Sequence, residues 1–177
     1  RLSPRRAMMA RPFCAEDRLM PATPPPAIGD LAPARARPRD GGGTLALADL
    51  KGRVVVLYFY PKDDTSGCTA ESLDFSALAK EFEAAGAVVI GMSPDPVKSH
   101  DRFRAKHQLS QPLVADEAKA TLAAYGVWVE KSMYGRKYMG VERSTFLIDR
   151  AGRIAKIWRK VKVPGHAKEV LAAAKAL

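Results

Sequence analysis

Val54-Val55-Val56-Leu57-Tyr58-Phe59-Tyr60 runs straight into Pro61-Lys62-Asp63-Asp64-Thr65-Ser66-Gly67, after which Cys68 opens a helical pattern over residues 69–85. Seven consecutive aliphatic and aromatic residues, rich in valine and closed by turn formers, read as a strand buried on both faces. Cys68 therefore falls at a strand-to-helix junction, inside the first helical turn. Backbone N–H groups at that position lack intrahelical acceptors, and the positive end of the helix dipole lies beside the sulfur. Both effects favour a thiolate. A cysteine kept for packing belongs inside a strand or on an apolar helix stripe. This one stands where cysteines become reactive.

Outward from the junction, strand and helix signals alternate. Gly41-Gly42-Gly43 is a turn, and residues 44–50 form a short amphipathic stretch ending at Lys51-Gly52. Residues 87–93 make a second buried strand, closed by Pro94-Asp95-Pro96. A helix over 97–107, a short strand over 113–115 and a helix over 117–125 follow, and residues 130–142 read as a polar loop. Strands over 144–148 and 154–158, joined by Asp149-Arg150-Ala151-Gly152, form a hairpin. A helix over 166–176 closes the chain. The βαβ portion implies parallel strands with right-handed crossovers, and the hairpin adds antiparallel ones. The expectation is an α/β protein whose central mixed β-sheet is flanked by helices on both faces. That order resembles the thioredoxin fold with extra elements, so a thioredoxin-like fold is expected.

A chain of 177 residues, 47% hydrophobic, can bury one good core. Its two cysteines, Cys14 and Cys68, are too few for a disulfide scaffold and point to a reducing, cytoplasmic setting. No apolar run approaches a membrane span. The net charge is +10, with eight arginines against three acids in residues 1–39 and 21 basic against 16 acidic residues beyond. The charges of the second part are interspersed and no basic-aromatic motif accompanies them, which argues against a nucleic-acid partner. Lys98, Arg102, Arg104 and Lys106 share one helix and read as a solvated face. Residues 1–39 also hold eight of the thirteen prolines. Residues 1–28 are expected to be a poorly ordered extension, and 29–177 the folded domain. Met20 is a candidate natural start; an Arg-rich transit segment is the rival reading, which Glu16 and Asp17 fit poorly.

A dithiol oxidoreductase needs Cys-x-x-Cys at such a junction, whereas this chain has Thr65-Ser66-Gly67-Cys68. No internal disulfide of that kind can form. Thr65 could hydrogen-bond beside the sulfur, while Pro61 and the ring of Phe59 or Tyr60 could limit water access. Such a site suits attack on a small electrophile with hydrogen bonds of its own, such as a hydroperoxide O–O bond. Local structure offers plainer roles: Thr65 as a helix N-cap accepting from the Cys68 N–H, and residues 61–64 as a turn. His100, His107 and His166 have no metal-ligand spacing with Cys68, so neither a metal nor another cofactor is expected.

The stretch Tyr58-Phe59-Tyr60-Pro61-Lys62-Asp63-Asp64-Thr65-Ser66-Gly67-Cys68-Thr69-Ala70-Glu71 resembles the active-site signature of peroxiredoxins, P-x-x-x-[TS]-x-x-C. More narrowly it is similar to the bacterioferritin comigratory protein (peroxiredoxin Q) group. Gly29-Asp30-Leu31-Ala32-Pro33, Asp40-Gly41-Gly42-Gly43-Thr44 and Arg143-Ser144-Thr145-Phe146-Leu147-Ile148-Asp149 extend the likeness from about Gly29 to the C-terminus. The resemblance implies that Cys68 is the peroxidatic cysteine and becomes a sulfenic acid. It implies that Arg143 crosses to the sulfur, holds it as thiolate and orients the peroxide. Thr65 would bond a peroxide oxygen, Pro61 would shield the sulfur, and the Gly67 and Cys68 amides would stabilise the developing oxyanion. Glu71 matches a residue typical of the group, although a place in the first helical turn is explanation enough for an acid. A monomer is implied as well.

The sequence departs from that pattern in three places. Leu73 stands where many members carry a resolving cysteine, and no cysteine occurs from Thr69 to Leu177. Ser66 replaces a proline, and Arg35 replaces an aromatic residue in the N-terminal lead-in, which weakens strand pairing over residues 31–39. Cys14 lies 54 residues from Cys68. A flexible tail of that length has a root-mean-square reach of roughly 40 Å, so internal resolution is open but not preorganised. The expectation is a one-cysteine thiol peroxidase that takes hydrogen peroxide and organic hydroperoxides. Thioredoxin, glutaredoxin or a small thiol would reduce it. Two other readings stay open: a redox sensor or holdase-like binder oxidised once and not efficiently recycled, and a thioredoxin-type dithiol oxidoreductase, which Thr65 disfavours.

Overall fold

The computed structural model describes residues 24–177. Cys14, Met20 and most of the expected extension lie outside them. The lead-in forms strand β1 (Arg37–Pro38), paired antiparallel with β2 (Thr44–Leu45), and a 3-10 turn at Leu47–Leu50 follows. Beyond that pair, the β-bridges of residues 31–39 are isolated, Leu31 to Arg153 and Arg39 to Val114, and side chains add to them: Tyr125 Oη donates to Pro33 O and Arg37 pairs with Asp116. Next come β3 (Val54–Phe59), α1 (Ser66–Ala77), α2 (Ala79–Ala84), β4 (Ala87–Ser93), α3 (Val97–His107), β5 (Leu113–Ala115) and α4 (Ala120–Ala124). Then β6 (Trp128–Met133), β7 (Arg136–Val141), β8 (Ser144–Ile148), β9 (Ile154–Trp158) and α5 (His166–Lys175) complete the chain.

The main sheet has the order β5-β4-β3-β8-β9, so β3 is the central strand. It runs parallel to β4 and antiparallel to β8. All six of its residues are buried, as a strand covered on both faces requires. Val54, Val56, Tyr58 and Tyr60 face a core built with Phe75, Phe82, Phe103, Val170 and Leu171 of the helices. Val55, Leu57 and Phe59 face the other core, with Leu122, Tyr125, Val141 and Phe146. The helices are thus divided unevenly, with α4 and the β6–β7 hairpin covering the second face.

Local differences from the sequence reading have local causes. The helix expected over 69–85 starts earlier, at Ser66, and breaks at Leu78 (φ −98°, ψ 9°), whose N–H turns back to Phe75 O. No glycine or proline marks that break. The helix expected over 117–125 shrinks to five residues, because Lys119 takes a left-handed conformation (φ 60°) just before it. Tyr60 leaves the β3 ladder, although its N–H still donates to Met92 O.

The polar loop expected over 130–142 is instead an antiparallel hairpin, from Trp128 opposite Val141 to Met133 opposite Arg136. Tyr134 and Gly135, at φ 51° and 77°, make the two-residue turn, and the double positive φ matches the right-handed twist of a hairpin. The solvent-facing side chains of its strands hid their period.

Candidate active site

Register decides which residues meet at the C-terminal end of β3. Phe59, its last residue, pairs with Ser144, the first of β8. Arg143 is therefore delivered to the same edge as the 60–67 loop and the start of α1. Cys68 is the third residue of α1 and only 1% exposed. Within α1 the first amide to find a carbonyl is that of Thr69, on Thr65 O at 2.8 Å. The N–H groups before it face the site without intrahelical partners.

Arg143 Nη2 donates to Cys68 Sγ at 3.3 Å, the one side-chain hydrogen bond to the sulfur among the described residues. Gly67 makes room for it, since a Cβ there would lie 3.2 Å from Nη2. Arg143 Nη1 lies 3.3 Å from Glu71 Oε2, an ion-pair contact whose angle falls short of a hydrogen bond. Burial works against the guanidinium's charge, but Glu71 and Cys68 outweigh it and hold its pKa above the ordinary arginine value. Glu71 is itself almost wholly buried. Burial pushes its carboxyl up to about 7, opposed by Arg143 and assisted by nearby Asp74. Glu71 is thus no surface acid facing a helix dipole, the role its sequence position suggested; it is the buried partner of Arg143.

Thr65 occupies the N-cap position but makes no capping bond; its hydroxyl donates to Lys62 O at 2.9 Å. The N-cap expectation fails: the hydroxyl is turned to Lys62 O and accepts from no amide of α1. Pro61 is half-buried at the start of the same loop. The structure thus joins Cys68, Gly67 and Arg143 directly, with Thr65 and Pro61 on the loop that leads into them.

Sequence reasoning missed what holds this loop. Asp63 is buried and accepts from Tyr60 Oη at 2.6 Å and Ser99 Oγ at 2.8 Å, and its carboxylate lies 2.8 Å from His100 Nδ1. The other ring nitrogen of His100 is 3.0 Å from Val114 O. The Asp63 N–H donates to Asp95 at 2.8 Å. Asp64, at φ 57°, is bonded to His107 and Lys106, which hold its carboxyl below the usual range. Arg104 pairs with buried Asp40 at 2.7 Å. Arg104 and Lys106 are therefore not merely a solvated face: they tie α3 to the lead-in and to the loop. Paired acids in a turn before a helix carrying His100, Lys106 and His107 were the available signal. Behind the sulfur, Ser72 Oγ lies 3.0 Å from Tyr58 Oη, which accepts from Gln111, fixing α1 against the sheet. Leu73 is partly exposed on α1. Among the described residues no group of three or more His, Cys, Asp or Glu converges as a metal site would. No helix there is long and apolar enough to cross a membrane.

Residues 28–157 match the AhpC/TSA family. The chain is 53% identical over 136 residues to peroxiredoxin Bcp of Xanthomonas campestris, covering 77% of this chain and 85% of that protein. A structure of the X. campestris bacterioferritin comigratory protein, solved to study its alkyl peroxide reduction activity, matches with a TM-score of 0.77 at 50% identity, covering 80% of this chain and 90% of that one. A cysteine variant of Xylella fastidiosa PrxQ matches with a TM-score of 0.81 at 44% identity, over 85% and 96% of the two chains. With that identity and coverage, the chain belongs to the AhpC/TSA family and, within it, to the bacterioferritin comigratory protein (peroxiredoxin Q) group of peroxiredoxins.

Proposed function

We propose that the protein is a thiol-dependent peroxidase that works through Cys68. The observation that carries this reading is the 3.3 Å bond from Arg143 Nη2 to Cys68 Sγ at the open end of α1. The cation and the free amides favour the thiolate, which attacks one oxygen of a hydroperoxide. The S–O bond forms as the O–O bond breaks, and the leaving oxygen takes a proton to become water or an alcohol. Arg143 and the Gly67 and Cys68 amides stabilise the charge that develops on the oxygens. Thr65 lies on the loop where its oxygen can accept from the peroxide, and Pro61 restricts water. Hydrogen peroxide and alkyl hydroperoxides are the substrates this reading supports, the second from the activity studied in the X. campestris relative.

The sulfenic acid needs a thiol to return to the start. One thiolate displaces the sulfenic oxygen as water, forming a mixed disulfide, and a second thiol releases Cys68 reduced. Cys68 is the one free cysteine among the described residues, and Leu73 stands at the group's resolving position. These support a one-cysteine cycle with an outside reductant: thioredoxin, glutaredoxin or a small thiol. The same two observations favour the second reading, a sensor or holdase-like binder oxidised once per molecule. Cytoplasmic location follows from the sparse cysteines, and a monomer from the habit of the group.

Cys68→Ser is expected to abolish peroxide consumption, and Cys14→Ser to leave most of it, in a coupled assay with each reductant. Undiminished turnover by Cys68→Ser would overturn the assignment. Multiple turnovers by the wild type exclude the sensor reading, and a single stoichiometric oxidation establishes it.

A further inference from the structure

At the end of the sheet away from Cys68, the start of β3 and the end of β8 form the floor of a groove of about 250 Å³. Val55 and Ile148 pair across the two strands there, both almost wholly buried. One wall is the lead-in, with Leu31 and Ala32. It is held by the Ala32 N–H on Gly152 O at 2.9 Å and by the bridge from Leu31 to Arg153. The other wall is the 3-10 turn, with Leu47 and Leu50. Leu31 is 63% exposed, an apolar side chain left in water at the rim.

Lys51 and Arg53 line the same groove. Both are exposed, and among the described residues neither side chain makes a hydrogen bond or an ion pair. Their backbone is fixed, because the Gly52 N–H donates to Arg150 O at 3.0 Å and Arg150 Nη1 donates back to Gly52 O at 3.1 Å. Asp149 is the one acid in the lining, and its Oδ1 already accepts from the Ala151 and Arg153 N–H groups at 2.9 Å. An apolar trough with two uncommitted cations suits an anion that carries an apolar tail. The cations disfavour the chain's own residues 1–23, which hold five arginines against two acids. The volume falls just below the usual ligand pocket of roughly 300–1,000 Å³, too small for a two-chain lipid. We propose that this groove binds a medium-chain alkyl carboxylate, its tail on Val55, Ile148 and the leucines and its head on Lys51 and Arg53. The site is separate from Cys68, and the proposal does not depend on the peroxidase reading.

The test is calorimetric titration of the full chain with sodium hexanoate, octanoate and decanoate, each below its micelle concentration. Octanol serves as the uncharged control, and amide NMR shifts locate the binding. Affinity is expected to rise about 3- to 4-fold per methylene and to level off once the groove is full. Octanoate should bind about 3- to 10-fold more tightly than octanol at low salt. Replacing both cations, Lys51→Met with Arg53→Met, should remove that difference and leave octanol binding as it was. Ala48→Phe, which lays a ring on the exposed lining, should weaken every acid of the series about 10-fold. The shifts should centre on residues 47–55 and 148–152. The proposal is overturned if none of the acids binds saturably, if octanoate and octanol bind alike, or if the shifts gather elsewhere. Octanoate that moves the resonances of residues 1–23 as well would give the groove to the chain's own extension. A dimer, seen by sedimentation, that Ala48→Phe dissociates would give it to a second copy. Either result also overturns the proposal.

Discussion

Arg143 serves two anions at once, and the energetics of the site turn on how they share it. Its guanidinium bridges Cys68 Sγ and Glu71 Oε2, each at 3.3 Å. Glu71 titrates at about 7 in the folded protein against an ordinary 4.5. Between those values the unfolded chain has released a proton that the folded chain still holds, so stability falls as pH rises through the window and stays lower above it. The wild type should therefore lose on the order of 3 kcal/mol across that window, and Glu71→Gln should not. Urea melts on either side of the window measure this; equal slopes for the two proteins would contradict it. Gly67→Ala probes the other side of Arg143. Its methyl would sit 3.2 Å from Nη2, so the peroxide rate should drop about 10-fold through displacement of the guanidinium. Thermal stability should hold, since alanine is a good helix former.

At the scale of elements, the 60–67 loop is fastened to α3 rather than to the helix it leads into. Asp63 gathers Tyr60, Ser99 and His100 on one buried carboxylate. Asp63→Ala would strand those groups without an acceptor, at a cost of about 2–4 kcal/mol in chemical denaturation. The peroxide rate should fall as well, because Thr65 and Gly67 ride on that loop. A stable variant with a normal rate would show the tether to be idle. The tether to α3 was hard to read in the sequence, because Ser99 and His100 lie more than thirty residues beyond Asp63. The place of Cys68 in the first turn of α1 was legible, since a buried run, a turn and a helix start are all local. Arg143 was placed only by resemblance, as its approach depends on the β3–β8 register. Glu71 was misread because burial of an acid is invisible in a helix with no apolar stripe. The hairpin at Trp128–Val141 was missed for the same kind of reason: its strands show solvent mainly polar residues. The Tyr134-Gly135 pair was the signal within it.

Across the whole molecule, the strands of the central sheet fall where the sequence places them, to within one residue. Each is short, apolar and bounded by turn formers, so competing periods have little room. That sheet sets three things at one edge: the end of β3, the start of α1 and the residue before β8. The site follows from the topology, and the chemistry from what occupies that edge. The most direct measurement is intact and peptide mass spectrometry after one equivalent of hydrogen peroxide, with a carbon nucleophile that traps sulfenic acid and with Arg143→Gln alongside. The account expects one oxygen on Cys68 of the wild type within the mixing time, and much slower gain in the variant. Peroxide left unconsumed with Cys68 unmodified, or equal oxidation in both proteins, would contradict it.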